Sequence, residues 1–126
     1  MQLSEWFTVS FDDTHAHRDV RPPGGKPWAD AFAFADVERV CIKTGDFLES
    51  DELYVFVRSR PESYVIPTEA GGGLDLLNEL IRRGLFDAQL AIDAALSTES
   101  ELHCWPAASP LDEDEQAYEG DDQSAL

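Results

Sequence analysis

The sequence has little positive charge. Only 9 of its 126 residues are lysine or arginine, against 26 aspartates and glutamates, so the formal net charge is -17 and the isoelectric point is about 4.2. A field of that sign repels phosphate groups, so we expect neither nucleic acid nor an anionic membrane as a partner, and a basic protein is favoured. The same charge is equally typical of a salt-adapted or GC-rich source, where it would serve solubility.

Long apolar runs and a leader pattern are also missing. No segment approaches the roughly 18 apolar residues that cross a bilayer, and the first residues show no basic stretch followed by an apolar one. We therefore predict a cytoplasmic protein. In that reducing compartment Cys41 and Cys104, which form no CxxC pair, are expected to be buried thiols rather than a disulfide.

The length and composition predict one folded unit. Hydrophobic residues make up 43% of the chain and the mean hydropathy is -0.32, which suits a single domain with its own core. We place this α+β domain at residues 1–106. Residues 107–126 lose the apolar pattern and contain seven acids and no base from Pro110 onward, so we expect an acidic, disordered tail.

Short segments in which apolar and polar side chains alternate, or in which apolar residues are continuous, predict strands at several places. The predicted strands are EWFTVSF, THAHRDV, ERVCIKT, LYVFVRS, SYVIP and ELHCWP. The first two are expected to form a hairpin with Asp12 and Asp13 near its turn, and the apolar LYVFVRS is expected in the middle of a sheet. The prolines and glycines of RPPGGKP predict a loop.

Two helices are predicted after these strands. In TEAGGGLDLLNELIRRG, Leu76 and Leu80 belong to an apolar stripe, whereas Glu79 is expected to face solvent. Thr68 is the candidate N-cap, and Gly84 follows the predicted end. The glycines before this helix favour close packing over a phosphate site, because the lysine of a phosphate loop is missing.

The second helix, FDAQLAIDAALS, is shorter and has Asp87 as its candidate cap. Strands that come first and helices that come later predict an α+β fold. We expect a curved antiparallel sheet packed by a C-terminal helix, with a second short helix beside it.

A family resemblance covers residues 28–106. Their pattern resembles a group of small uncharacterised bacterial proteins, and the matching positions are Trp28, Asp30, Asp51, Pro67, Phe86, Asp87 and Trp105. The resemblance implies a pleckstrin-homology-like sheet and helix. It implies no chemical activity.

Two histidines raise the question of a metal site. His15 and His17 are two residues apart, which points both rings to the same face of a strand. His103 could supply a third ligand only if the last strand lay alongside. A solvent-facing hairpin is the favoured interpretation, because a structural zinc site normally shows two short ligand pairs.

We find no sequence pattern that predicts catalysis. His103 and Cys104 are adjacent, so on a strand their side chains point to opposite faces, and the sequence contains no nucleophile elbow, P-loop or HExxH. We predict a protein without enzymatic activity and without a cofactor.

The favoured function is therefore a protein-interaction module. An exposed aromatic patch next to acidic loops would suit a protein partner. The candidate partner-binding residues are Trp28, Asp46, Glu49, Asp51 and Glu52. Two alternatives stay open: an immunity or inhibitor protein that masks a basic toxin or nuclease, and a small metal-binding protein that uses His15 and His17.

Overall fold

A computed structural model describes residues 2–45 and 50–106 and contains two antiparallel sheets. The first sheet has the order β1-β2-β3, with β1 at Phe7–Phe11, β2 at His15–Val20 and β3 at Trp28–Ala33. The predicted hairpin of β1 and β2 is confirmed. β3 is not among the strands predicted from the sequence, because its outer positions are small alanines and its inner ones include Asp30.

The second sheet has the order β6-β5-β4-β7. Its strands are β4 at Val37–Lys43, β5 at Glu52–Val57, β6 at Tyr64–Pro67 and β7 at Leu102–Trp105. β5 lies between β4 and β6, as its apolar sequence predicted. β7 returns from far along the chain to pair with β4 at the edge of the sheet.

Helices α1 (Leu3–Trp6), α2 (Gly73–Arg82) and α3 (Ala88–Ala95) complete the fold, with a single 3₁₀ turn at Phe34–Asp36. The α+β class with antiparallel strands is confirmed. The strands form two sheets rather than the single curved sheet that was expected. β7 follows both helices, as the predicted closing strand ELHCWP requires, and its pairing with β4 is not indicated by any local pattern.

One core fills the space between the sheets and α2. Leu76 and Leu80 of the predicted apolar stripe are fully buried in it. Both sheets contribute their inner faces. Further members are Phe7, Val9, Ala16, Val20, Phe32, Phe34, Val40, Ile42, Leu53, Val55, Val57, Tyr64, Ile66 and Phe86.

The glycines before α2 allow close packing against β1. Gly71 extends the first sheet by pairing with β1. The Val9 amide donates to the Gly71 carbonyl (2.7 Å), and the Gly71 amide donates to the Phe7 carbonyl (2.9 Å). Gly72 has a φ of 81°, and a Cβ there would overlap the Val9 carbonyl. Gly72 rather than Thr68 is the N-cap of α2. The prediction of close packing is confirmed, and Thr68 as N-cap is wrong.

The two cysteines form a disulfide, so the prediction of free thiols is wrong. The register of β4 and β7 places Cys41 opposite Cys104, with their Cα atoms 4.0 Å apart and 63 residues between them in sequence. Sequence spacing gives no information on this register. None of the helices in residues 2–45 and 50–106 has the length and apolarity that a bilayer crossing requires.

Candidate partner-binding surface

His15 and His17 share the solvent-exposed face of β2, as their spacing predicts. Their ring centroids are 6.3 Å apart. Asp12, in the β1–β2 turn, lies 3.2 Å from Nε2 of His17 through its Oδ2. Its Oδ1 accepts the backbone N–H groups of Thr14 and His15, each at 2.8 Å. These backbone bonds, and then the contact with His17, hold the pKa of Asp12 below its ordinary value.

His103 does not join this pair. It lies on β7 in the second sheet, where its Nε2 is 3.0 Å from Oε1 of Glu101. Within the ranges 2–45 and 50–106, no group of three histidine, cysteine or carboxylate side chains is arranged to hold a metal ion.

Trp28 is partly exposed but also belongs to an internal ion pair. Arg18 points inward from β2, stacks on the Trp28 ring at 4.9 Å and bonds both oxygens of Asp30 at 2.8 and 2.6 Å. It also donates to the Val65 carbonyl (3.0 Å), which links the two sheets. Trp28 therefore covers a buried cation while it exposes 44% of its surface.

Asp51 and Glu52 are half-buried and hydrogen-bonded within the chain. Oδ1 of Asp51 accepts the Gly45 amide (3.0 Å), and Oε1 of Glu52 accepts the Tyr54 hydroxyl (3.0 Å). Burial, and then this bond to Glu52, raises the pKa of Tyr54. The candidates Asp46 and Glu49 lie outside the described residues.

Other arginines form ion pairs on the surface of the same chain. Arg21 pairs with Asp19 and Arg58 lies near Asp36, and all four side chains are exposed. Such pairs leave little positive charge for an external partner.

Glu79 binds two further arginines. Its predicted outward orientation is wrong, because it is buried between Arg82 and Arg83. Arg83 donates to it at 2.7 Å. The bonds to Arg82 and Arg83 lower the pKa of Glu79 to about 2, although burial alone would raise it.

A different region exposes apolar side chains. We call the exposed apolar residues of α3 and β7 the α3–β7 surface and define it by Ile92, Leu96 at the C-cap of α3, Leu102 and Trp105, the last two lying on opposite faces of β7. These are four of the seven large hydrophobic residues that the described part of the chain exposes. Leu96 is 77% exposed and Leu102 is 63% exposed. α3 contacts both β4 and β7, and β7 pairs along its length with β4.

The local sequence explains this exposure. Asp87 caps α3 as predicted, by accepting the Leu90 amide at 3.1 Å. The helix then buries only Ala94, while Ile92 and Leu96 lie four residues apart on one exposed face. None of the four residues of β7 is fully buried.

The segment that carries the α3–β7 surface has no cation of its own, although Lys43 of β4 lies opposite Leu102. No lysine or arginine follows Arg83 anywhere in the sequence. Among the described residues, Asp93, Glu99 and Glu101 flank the apolar positions. The absence of cations after Arg83 can be read from the sequence and is the one clue there to this surface. The exposure of the apolar residues cannot be read from the sequence, because their periodicity resembles that of core residues.

Thr44 fixes the start of β7. Its buried hydroxyl donates to the Glu99 carbonyl (2.6 Å) and accepts the Glu101 amide (2.8 Å), and its own amide donates to the Glu101 carbonyl (2.8 Å). The loop between α3 and β7 is therefore held against the end of β4.

Comparison of the chain with protein-family models, with curated proteins and with solved structures finds no match. The arguments for function therefore depend on the geometry and charge of the chain itself.

Proposed function

We propose that this protein is a non-catalytic, acidic interaction module that binds a basic protein through the α3–β7 surface. The observation that carries the proposal is the combination of exposed apolar side chains with carboxylates in a stretch of sequence, after Arg83, that contains no lysine or arginine. An apolar centre with a charged rim is the usual anatomy of a protein interface. The complementary partner presents apolar residues flanked by lysine or arginine.

The finer fold type and the compartment belong to the same proposal. Two antiparallel sheets with a principal helix support the pleckstrin-homology-like type. A cytoplasmic location is part of the proposal, and the Cys41–Cys104 disulfide counts against it, since such bonds are rare in reducing compartments.

A second candidate function is an immunity or inhibitor protein. The net charge of -17 favours it, because carboxylates can occupy the surface with which a basic nuclease binds nucleic acid. Association would then be fast and would weaken with salt. A toxin gene adjacent to the gene for this protein would support this candidate, and consistently solitary placement would count against it.

The proposal can be tested with a defined basic probe. The probe is a helical peptide of lysine and leucine with one apolar face, and its affinity is measured by fluorescence anisotropy. We expect the L96S/L102S variant to bind about tenfold or more weakly. Burial of a leucine side chain contributes about 1.5 kcal/mol or more, and 1.4 kcal/mol corresponds to about tenfold in affinity.

Leu74→Ser is the matched control, because Leu74 is 60% exposed at the start of α2, outside the α3–β7 surface. This variant should bind like the unmodified protein. A glutamate–leucine peptide with the same apolar spacing should not bind. Equal affinity of L96S/L102S and the unmodified protein, or equal binding of the two peptides, would sink the proposal.

A further inference from the structure

We propose that the Cys41–Cys104 disulfide controls the α3–β7 surface: the oxidised bond holds β7 in place, and its reduction by a dithiol releases the end of β7. The inference rests on the proposed function, because β7 carries Leu102 and Trp105 of that surface. It assigns a regulatory role to a bond whose partners are 63 residues apart.

β7 is weakly attached to the rest of the fold. The strand has four residues, lies at the edge of its sheet and, among residues 2–45 and 50–106, pairs with β4 alone. Leu102 and Trp105 are exposed, and His103 and Cys104 are only half-buried. A segment that buries so little apolar surface belongs to the part of a protein that opens at low free-energy cost.

Apart from strand pairing and the disulfide, β7 is anchored by the hydrogen bonds of Thr44 at its start. Thr44 holds Glu99 and Glu101, which precede β7. The far end of the strand, at Trp105, has no comparable side-chain anchor among the described residues. The disulfide at Cys104 is the covalent link nearest to that end, so its cleavage should let the strand separate from β4 beginning at Trp105.

A reductant can reach the disulfide from the side of Cys104. Cys104 is half-buried on the edge strand, whereas Cys41 is buried on β4. One thiolate of the dithiol attacks Sγ of Cys104, the S–S bond breaks, and Sγ of Cys41 leaves with the electron pair and then takes a proton. The second thiol of the reductant displaces Sγ of Cys104, which also becomes a thiol, and the dithiol ends as a disulfide.

Hydrogen exchange of the full chain tests the release without any partner. We expect dithiothreitol to speed the exchange of the β7 amides by about tenfold or more, as for local opening. The amides of β2 in the first sheet that exchange by local opening, rather than by global unfolding, should change less than twofold. The C41S/C104S variant should match the reduced protein with or without dithiothreitol, which separates cleavage of the bond from other effects of the reductant.

Peptide binding then tests the control. The reduced protein should bind the lysine–leucine peptide several-fold more weakly than the oxidised protein. Unchanged β7 exchange, a uniform rise in exchange across both sheets, or β7 release with unchanged affinity would each overturn the inference. If neither form binds the peptide, the proposed function fails, and the exchange data alone show whether the release occurs.

Discussion

Charged side chains are placed differently in two regions of the molecule. One region is the first sheet together with α2, and the other is the α3–β7 surface. In the first region Arg18 lies inside the molecule against Asp30, and Glu79 lies between two arginines. In the second region Asp93, Glu99 and Glu101 belong to a stretch of sequence without lysine or arginine, and leucine side chains face solvent. The charge of -17 is therefore not uniformly distributed. Arg18, Arg82 and Arg83 form ion pairs within the first region, whereas the segment of α3 and β7 carries acids and exposed apolar side chains.

The two regions also differ in the interactions that hold them together. The first region is packed around buried side chains from four elements, β1, β2, β3 and α2, and has ion pairs within its interior. α3 fully buries only Ala94, and β7 is held to β4 by strand pairing, by the disulfide and by the hydrogen bonds of Thr44. This difference predicts which substitutions will destabilise the fold and by how much.

The largest effect is expected from removal of the disulfide. The C41A/C104A variant should lose about 4 kcal/mol of unfolding free energy, because a cross-link between residues so far apart restricts the unfolded chain strongly. Urea unfolding of both proteins without reductant measures the loss. Dithiothreitol should destabilise the unmodified protein and leave the variant unchanged. Equal unfolding midpoints of the two oxidised samples would contradict the prediction.

A smaller loss is expected from the internal ion pair of the first region. Arg18→Met leaves Asp30 without its bidentate partner, and we expect a loss of about 2 to 3 kcal/mol. This lies at or below the low end for a buried pair, because the Asp30 side chain remains 31% exposed.

Arg21→Met is the matched control for Arg18→Met. It breaks an exposed pair with Asp19 and should cost about 0.5 kcal/mol or less. Thermal or urea unfolding compares the two variants. Similar losses of unfolding free energy in both variants would contradict the prediction that the inward-facing pair of Arg18 stabilises the fold more than the exposed pair of Arg21 does.

The smallest effect concerns acid stability. The pKa of Glu79 is lowered from an ordinary 4.5 to about 2 in the folded protein. Its ionised form therefore stabilises the fold above about pH 4.5, and this contribution is lost as the pH falls towards about 2. Glu79→Gln should make the fall in unfolding free energy over this range shallower.

Urea unfolding at several pH values measures that slope. Glu69→Gln, which changes an exposed glutamate before α2, should keep the slope of the unmodified protein. The slope will not vanish in Glu79→Gln, because Asp12 acts in the same direction. An identical slope in Glu79→Gln and in the unmodified protein would refute the role of Glu79.

Much of the local structure could be predicted from the sequence. Short segments that alternate or are continuously apolar identified β1, β2, β4, β5, β6 and β7, and the apolar stripe of Leu76 and Leu80 identified α2. The cap at Asp87 and the shared face of His15 and His17 were also predictable, because each depends on neighbours within a few residues. β3 escaped prediction because Asp30 occupies one of its inward positions, where an alternating pattern would place an apolar residue.

The candidate surface was less predictable. Of the residues proposed to bind a partner, Trp28 is exposed, whereas Asp51 and Glu52 are engaged in internal hydrogen bonds. The apolar residues Ile92 and Leu96 follow a helical stripe like that of α2. Only the packing of the whole chain shows that nothing in its described part covers them.

The sequence by itself determined the excess of acid, the absence of cations after Arg83, and the strands and helices whose patterns repeat over a few residues. These properties depend on composition and on contacts between near neighbours. The tertiary structure alone decided that Cys104 meets Cys41, that Arg18 points into the core and that the apolar face of α3 remains open. Each of these depends on the pairing of segments far apart in the chain, for which the sequence contains no local periodic signal.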